Sequence, residues 1–223
     1  MNYLEKDKLY CSQGDTSGKH EPKKIFIGAE GCYLFDECGV KYLDMQMYNS
    51  AANFGYKNEA YSECMKNSLE TLPCLAGDFM SKSRIDLSEK ICQYMYKNHG
   101  VRGRVHFTVG GAQAVDDAMK IAINFNQKRG FLAFEGAYHG RTMASSSVSS
   151  SYRYTRQFGS VMNVQRIPFP NCFSCAYDKC PTDCGLYCLK KFKQKFESEF
   201  SGFYDNSHSD AAYSAFIFEP VLG

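Results

Sequence analysis

The chain has 223 residues, 44% of them hydrophobic and 15% aromatic, and carries 26 Lys plus Arg against 24 Asp plus Glu for a formal charge of +2. That composition excludes intrinsic disorder, because there is ample apolar surface for a buried core, and the absence of any concentrated basic stripe argues against nucleic acid as a partner. The opening MNYLEKDKLY lacks the continuous apolar stretch of a signal peptide, and no later segment approaches about 20 uninterrupted apolar residues. The expectation is a soluble, cytoplasmic protein without a membrane partner, whose eleven cysteines are reduced thiols rather than a disulfide framework.

In chain order, residues 1–24 are polar and punctuated by Gly, Ser and Pro, which predicts a loosely held arm leading to a β-like stretch, Ile25 to Gly28. GCYLFDECGVKYLDM predicts a hairpin of Cys32–Asp36 and Lys41–Asp44 joined at Glu37-Cys38-Gly39. Helical spacing recurs from Asn58 to Leu69 and from Ser83 to Asn98, where Ile85, Leu87, Ile91, Tyr94 and Met95 mark a face expected to be buried. Ordinary core packing accounts for both helices, so no chemistry is assigned to them.

Arg104–Val109 is β-rich, ends at Gly110-Gly111, and leads directly into a helical pattern over Ala112–Arg129 with Ala114, Ala118, Ile121, Ala122 and Phe125 along one side. A strand at Phe131–Phe134 opens into the loop Glu135–Arg141, a helix is expected over Leu186–Phe200, and a strand at Ala215–Phe218 runs into Glu219-Pro220. Interleaved strands and helices predict an α/β fold with a mostly parallel sheet, in which ligands bind outside the carboxyl ends of the strands.

Two segments carry candidate chemistry. In TVGGAQAVDDAMK (108–120) a glycine pair between strand and helix lets the backbone approach an anion, and Gly110, Gly111 and Ala112 offer the unsatisfied amides of a helix start. Taken alone, such a glycine pair is more often a tight turn. In FEGAYHGRT (134–142) Tyr138 can stack on a flat ring, His139 can pack or hydrogen-bond beside it, and Arg141 can pair with a carboxylate. The plainer alternative makes Tyr138 core, His139 a satisfied imidazole and Arg141 a surface cation.

A third segment, CFSCAYDKCPTDCGLYC, places thiols at 172, 175, 180, 184 and 188. The first gap suits a metal site, but the later spacing is irregular, and a structural loop without metal is the preferred reading.

The order and spacing of the glycine turn with AVDDAMK, the YHGRT loop, IFEPVLG at 217–223 and YLDMQMYNSAANFGY at 42–56 resemble the class-III pyridoxal-phosphate-dependent aminotransferases of the ornithine, acetylornithine and 4-aminobutyrate type. The resemblance covers nearly the whole chain and implies the type I fold of pyridoxal-phosphate enzymes, with helices on both faces of the sheet and incomplete in this chain. Residues 1–56 are then the arm and hairpin of a small domain, and 57–223 the first part of the large cofactor-binding domain.

It further implies pyridoxal 5'-phosphate as cofactor, its phosphate held by Gly111 and Ala112 with Gly110 adjoining, Tyr138 over its ring and His139 beside it. Arg141 and Glu219 fall where substrate or cofactor is met, and Asn49 where an aliphatic residue commonly borders the substrate pocket. The implied partners are an amino donor, a 2-oxo acid acceptor such as 2-oxoglutarate or pyruvate, and a second copy of the chain in a homodimer.

Gln113, Asn49 and Leu222 depart from the family pattern, which bears on substrate identity rather than cofactor use. The lysine that would hold the cofactor covalently is expected beyond Gly223, so no catalytic residue is assigned within the chain, and the segment alone is expected to fold poorly and to be inactive. Aminomutases and racemases of the same fold are the nearest alternatives, and a non-catalytic metal-binding scaffold built on Cys172–Cys188 is the alternative from another class.

Overall fold

The computed structural model describes residues 2–11, 24–151, 159–179, 182–201, 203–204 and 210–222, and it divides into two compact units, Met1–Val105 and His106–Gly223. In the first unit, α1 (Tyr3–Tyr10) replaces the start of the expected loose arm. Asn2 and Glu5 form a reciprocal cap, the Glu5 N–H donating to Asn2 Oδ1 (2.9 Å) and the Asn2 N–H to Glu5 Oε2 (2.8 Å). The rest of that arm, 12–23, lies outside the described residues.

The predicted hairpin is present, and the β-like stretch expected at Ile25–Gly28 joins it as a third strand. β1 (Phe26–Glu30), β2 (Tyr33–Asp36) and β3 (Lys41–Leu43) form an antiparallel sheet in that order. Its turn is organised by buried Asp36, whose Oδ1 accepts the N–H groups of Cys38 (3.0 Å) and Val40 (2.8 Å) while Oδ2 accepts the Tyr42 hydroxyl (2.9 Å). Burial pushes the Asp36 carboxyl up, but these hydrogen bonds outweigh it and hold the group below its ordinary range.

α2 (Glu59–Thr71) and α3 (Lys82–His99) lie where periodicity predicts them. Their burial does not match: Ile85, Leu87, Ile91, Tyr94 and Met95 are all exposed, from 37% to 62%. Periodicity reports that a face is apolar, and among the described residues nothing covers this one. Arg104–Val109 is likewise no strand, because β-propensity becomes a strand only beside a ladder partner, and no described strand pairs with it.

The second unit is built on a parallel sheet of order β5-β4-β6, where β4 is Gly130–Phe134, β5 Asn163–Ile167 and β6 Tyr213–Ile217. β5 was not anticipated, although NVQRI alternates polar and apolar residues as a half-buried strand does. Central β4 sends alternate side chains to opposite faces. Phe131 and Ala133 meet Met119 of α4 (Gly111–Asn126) and Val148 of α5 (Met143–Val148); Leu132 meets Phe203 and the aromatic face of α6 (Tyr187–Glu197), Phe192 and Phe196.

α4 presents Val115, Met119, Ala122 and Ile123 to the sheet; of the predicted stripe only Ala122 packs there, while Ala114 and Ala118 are exposed and Ile121 and Phe125 stand 56% and 89% exposed. The helix is apolar on two stripes, and the sheet takes one of them. At its far end Asn126 closes the layer, donating from Nδ2 to the Ser214 carbonyl (2.8 Å) and accepting the Ser214 hydroxyl (3.0 Å).

Phe131 has no exposed surface and fills the interface between β4 and α4. Phe131→Ala in the full-length protein is expected to cost about 3–5 kcal/mol through lost transfer energy and a residual cavity. Urea unfolding checks this by a lower midpoint at unchanged slope.

Candidate active site

β4 and β6 are parallel neighbours, so their carboxyl ends deliver two loops to one edge of the sheet. The loop after β4 turns at Gly136 (φ +85°), and the Tyr138 N–H donates to the carboxylate of Glu219, just beyond β6. Two residues singled out 81 positions apart are thereby joined. The next residue, His139, is buried; its N–H donates to Ser149 Oγ (2.9 Å), and its ring Nε2 has no hydrogen-bond partner among the described residues. Burial pushes the His139 imidazole below its ordinary range, a shift the nearby Glu219 carboxylate opposes in part.

Gly140 (φ +128°) brings this loop to the third predicted element. A Cβ there would lie 2.6 Å from Ala112 Cβ and 2.6 Å from Ser145 Oγ, so the loop backbone rests directly on the first turn of α4. That turn is open: Gly110 is its N-cap and provides no side-chain hydrogen bond, the first backbone bond closes from the Ala114 N–H to the Gly110 carbonyl (2.9 Å), and a Cβ at Gly110 or Gly111 would meet nothing. The N–H groups of Gly111, Ala112 and Gln113 therefore lack intrahelical partners at the positive end of a 16-residue helix, which is an anion site in electrostatic terms.

Tyr138 is 48% exposed and Arg141 is exposed on the same loop. The structure thus gathers Gly110, Gly111, Ala112, Tyr138, His139, Arg141 and Glu219 at one end of the second unit.

Sequence reasoning missed the residues that hold this loop. Thr142 caps α5, its N–H donating to Ser145 Oγ (3.1 Å), and its hydroxyl donates to Asp116 of α4 (2.8 Å). Ser145, Ser146, Ser147 and Ser149 are buried, and Arg166 of β5 donates to the carbonyls of Ser147 (2.6 Å) and Ser149 (2.7 Å). The spacing Thr142-x-x-Ser145 was the available signal, since it places reciprocal caps at a helix start.

Asn49 belongs to the first unit and sits in a left-handed turn, Met47–Ser50, with φ from 44° to 65° at four consecutive residues. Asp44 clasps the turn: Oδ1 accepts the N–H groups of Gln46 (2.9 Å) and Met47 (3.0 Å), and Oδ2 accepts the Tyr56 hydroxyl (2.7 Å). The Tyr56 hydroxyl, followed by the Met47 amide, holds the Asp44 carboxyl below its ordinary range. Gln46 Nε2 donates to Asn49 Oδ1 (3.1 Å).

The Cys run divides between described and undescribed residues. Cys172, Cys175, Cys184 and Cys188 are free thiols, Cys180 lies outside the described residues, and among the described residues no three Cys, His, Asp or Glu side chains form a metal-holding set.

The lowered His139 value has a pH consequence. The unfolded imidazole, titrating near 6.5, takes up its proton before the folded one does, so stability is full above that pH and declines as pH falls toward the depressed folded value. His139→Gln is expected to flatten that decline, as read from unfolding midpoints of the full-length protein between pH 7.5 and about 5.

Comparison with known proteins identifies the family and the fold. The family described as aminotransferase class-III matches residues 17–223. Acetylornithine aminotransferase of Archaeoglobus fulgidus is 28% identical over 158 residues, covering 71% of this chain and 40% of that protein. Ornithine aminotransferase 2 of Staphylococcus aureus is 31% identical over 151 residues, covering 64% and 37%. A leucine/methionine racemase of Thermococcus litoralis is 25% identical over 201 residues, covering 89% and 43%. This chain therefore spans between 37% and 43% of the length of these relatives.

Among solved structures, taurine:2-oxoglutarate aminotransferase from Bifidobacterium kashiwanohense, in complex with PLP and glutamate, superposes with a TM-score of 0.81 at 22% identity over 97% of this chain and 47% of that one. The omega transaminase of Pseudomonas jessenii, in complex with PMP, gives 0.81 at 22% over 100% and 49%. The fold is the type I fold of pyridoxal-phosphate enzymes. With the family matched from residue 17 to residue 223, the chain belongs to the class-III aminotransferases.

Proposed function

We propose that the full-length protein is a pyridoxal-phosphate-dependent transaminase, moving an amino group from an amine or amino acid to a 2-oxo acid such as 2-oxoglutarate or pyruvate. The observation that carries this reading is the seating of Gly140 on Ala112, which sets Tyr138, His139 and Glu219 beside the uncapped start of α4. These residues fit the cofactor: the open amides suit a phosphate, and a half-exposed tyrosine stands on the adjoining loop.

Gly111 and Ala112 hold the phosphate through their N–H groups, with Gly110 leaving room for it. Tyr138 offers its ring to the cofactor's flat face, while its N–H pins Glu219. His139 packs beside them, its burial disfavouring the charged imidazolium. Arg141 supplies a forked donor for a substrate carboxylate. When bound, pyridoxal phosphate supplies an electron sink for the charge that develops at the donor carbon.

Asn49 and Tyr48 make the substrate pocket more polar than an aliphatic ω-amine needs. The small domain is 1–56 and the large domain begins at 57, two copies form a homodimer, and the protein is cytoplasmic. Among the described residues no helix is long and apolar enough to cross a membrane.

Borohydride treatment of the full-length protein with pyridoxal phosphate is expected to fix the cofactor to a lysine outside residues 1–223, and turnover is expected to require an added 2-oxo acid. A folded protein that gains no adduct overturns the cofactor reading, and turnover without an acceptor favours an isomerase or racemase. For the pocket, Asn49→Gly keeps the left-handed turn and removes the amide, whereas a β-branched probe would add strain at φ +54°. A shift of kcat/KM toward aliphatic amine donors is expected, and unchanged preference sinks the assignment of Asn49.

A further inference from the structure

Four of the free thiols, Cys172, Cys175, Cys184 and Cys188, line one small cavity together with Tyr177, Tyr187 and Lys179. Sequence spacing shows only a run of cysteines; the fold converges thiols from the loop after β5 and from the start of α6. Asn171 curls the loop, its Oδ1 accepting the N–H groups of Phe173 (3.0 Å) and Ser174 (3.2 Å), and the flanking Cys172 and Cys175 both reach the cavity wall. Cys188 lies in the first turn of α6, which has no side-chain cap.

Charges of both signs surround the cavity: Lys179 is in its lining, and the Glu135 carboxylate acts on the lining residue Tyr177. Lys179 and Lys191 hold their ammonium groups 5.0 and 5.3 Å from the Tyr187 ring centre, and Lys190 Nζ lies 3.3 Å from the position a Gly185 Cβ would take. Cys172 is exposed, while the other three thiols are half-buried. The described residues form no preformed metal set. The arrangement is one accessible thiol backed by three sheltered ones, with the Lys179 ammonium in the lining as a contact for an anionic reagent.

We propose that this cavity is a thiol oxidation site, in which Cys172 exchanges with an anionic low-molecular-weight disulfide and a second cavity thiol completes the reaction. The Cys172 thiolate attacks one sulfur of the reagent, forming a mixed disulfide and releasing the other half as a thiolate. A second cavity thiolate then attacks the Cys172 sulfur, forming an intrachain disulfide and expelling the remaining half. Two protein thiols are oxidised, one reagent disulfide is reduced to two thiols, and the protons lost by the cysteines are taken up by the released thiolates. Such transient pairs are the form in which disulfides occur in reducing compartments.

The test treats reduced full-length protein with glutathione disulfide, alkylates the remaining thiols, maps the peptides, and measures metal on the untreated sample. Expected is the loss of two free thiols per chain, both within the cavity and without retained glutathione. Cys172→Ser should abolish that loss, and Cys11→Ser, remote from the cavity in sequence, should leave it unchanged. Persistent glutathione on Cys172, unreacted cavity thiols, pairing of Cys172 outside the cavity, or about one thiolate-bound zinc per chain would each overturn the proposal.

Discussion

Where Gly140 meets Ala112 there is no room for a side chain, and the neighbouring elements are arranged around that fact. The contact draws the loop after β4 onto the first turn of α4, and a Cβ at 140 would collide with both Ala112 and Ser145. On one side of it lie helix amides without intrahelical partners, and on the other Tyr138, tied to Glu219, and the buried His139. Moving the loop outward by the width of a methyl group would separate the anion site from the aromatic ring proposed to work with it. Glycine is therefore needed at 140 for space as well as for its positive φ.

The loop stays seated through buried polar groups that satisfy one another. Ser149 accepts the His139 N–H and lies within donating distance of the Gly140 carbonyl (3.1 Å), while Ser150 donates from its N–H to the Ala137 carbonyl (2.8 Å). Arg166 gathers two serine carbonyls from the next strand. Each such bond contributes only about 0.5–1.5 kcal/mol net, but breaking one of them strands a buried partner at larger cost. The serine run is thus the polar interior of a loop whose conformation has to be single-valued. Against that background His139 Nε2 and Arg166 Nε have no hydrogen-bond partner among the described residues, and the first lies inside the proposed site.

Local pattern carried much of this architecture. The hairpin, the long helices, strands β4 and β6, and the glycine turn before α4 are all properties of short windows, and they appear near their expected positions. Burial was less readable, because it depends on what lies opposite a face: α3 and the second stripe of α4 have helical periodicity without a described partner. Arg104–Val109 failed as a strand for the same reason. For the site, the family resemblance identified the residues, but the contacts joining Tyr138 to Glu219 and Gly140 to Ala112 span 81 and 28 positions, a distance no local pattern encodes. The clasps at Thr142 and Asp44 use common residues; the Thr142-x-x-Ser145 spacing carries a capping signal, whereas only geometry marks Asp44.

The turn at Met47–Ser50 shows how strain and specificity meet in one segment. Left-handed helical backbone costs about 1–2 kcal/mol per L-residue, and four in succession persist only where the surroundings over-determine them. Asp44 does so with both oxygens, holding the amides of Gln46 and Met47 and the hydroxyl of Tyr56. Asn is among the side chains that tolerate this backbone best, so Asn49 relieves strain as well as offering an amide. An aliphatic residue at 49 would have to be accepted by the turn before it could be accepted by a substrate. The polarity proposed for the pocket is therefore coupled to the Asp44 clasp, and a change of specificity at 49 is constrained by backbone conformation before it is constrained by chemistry.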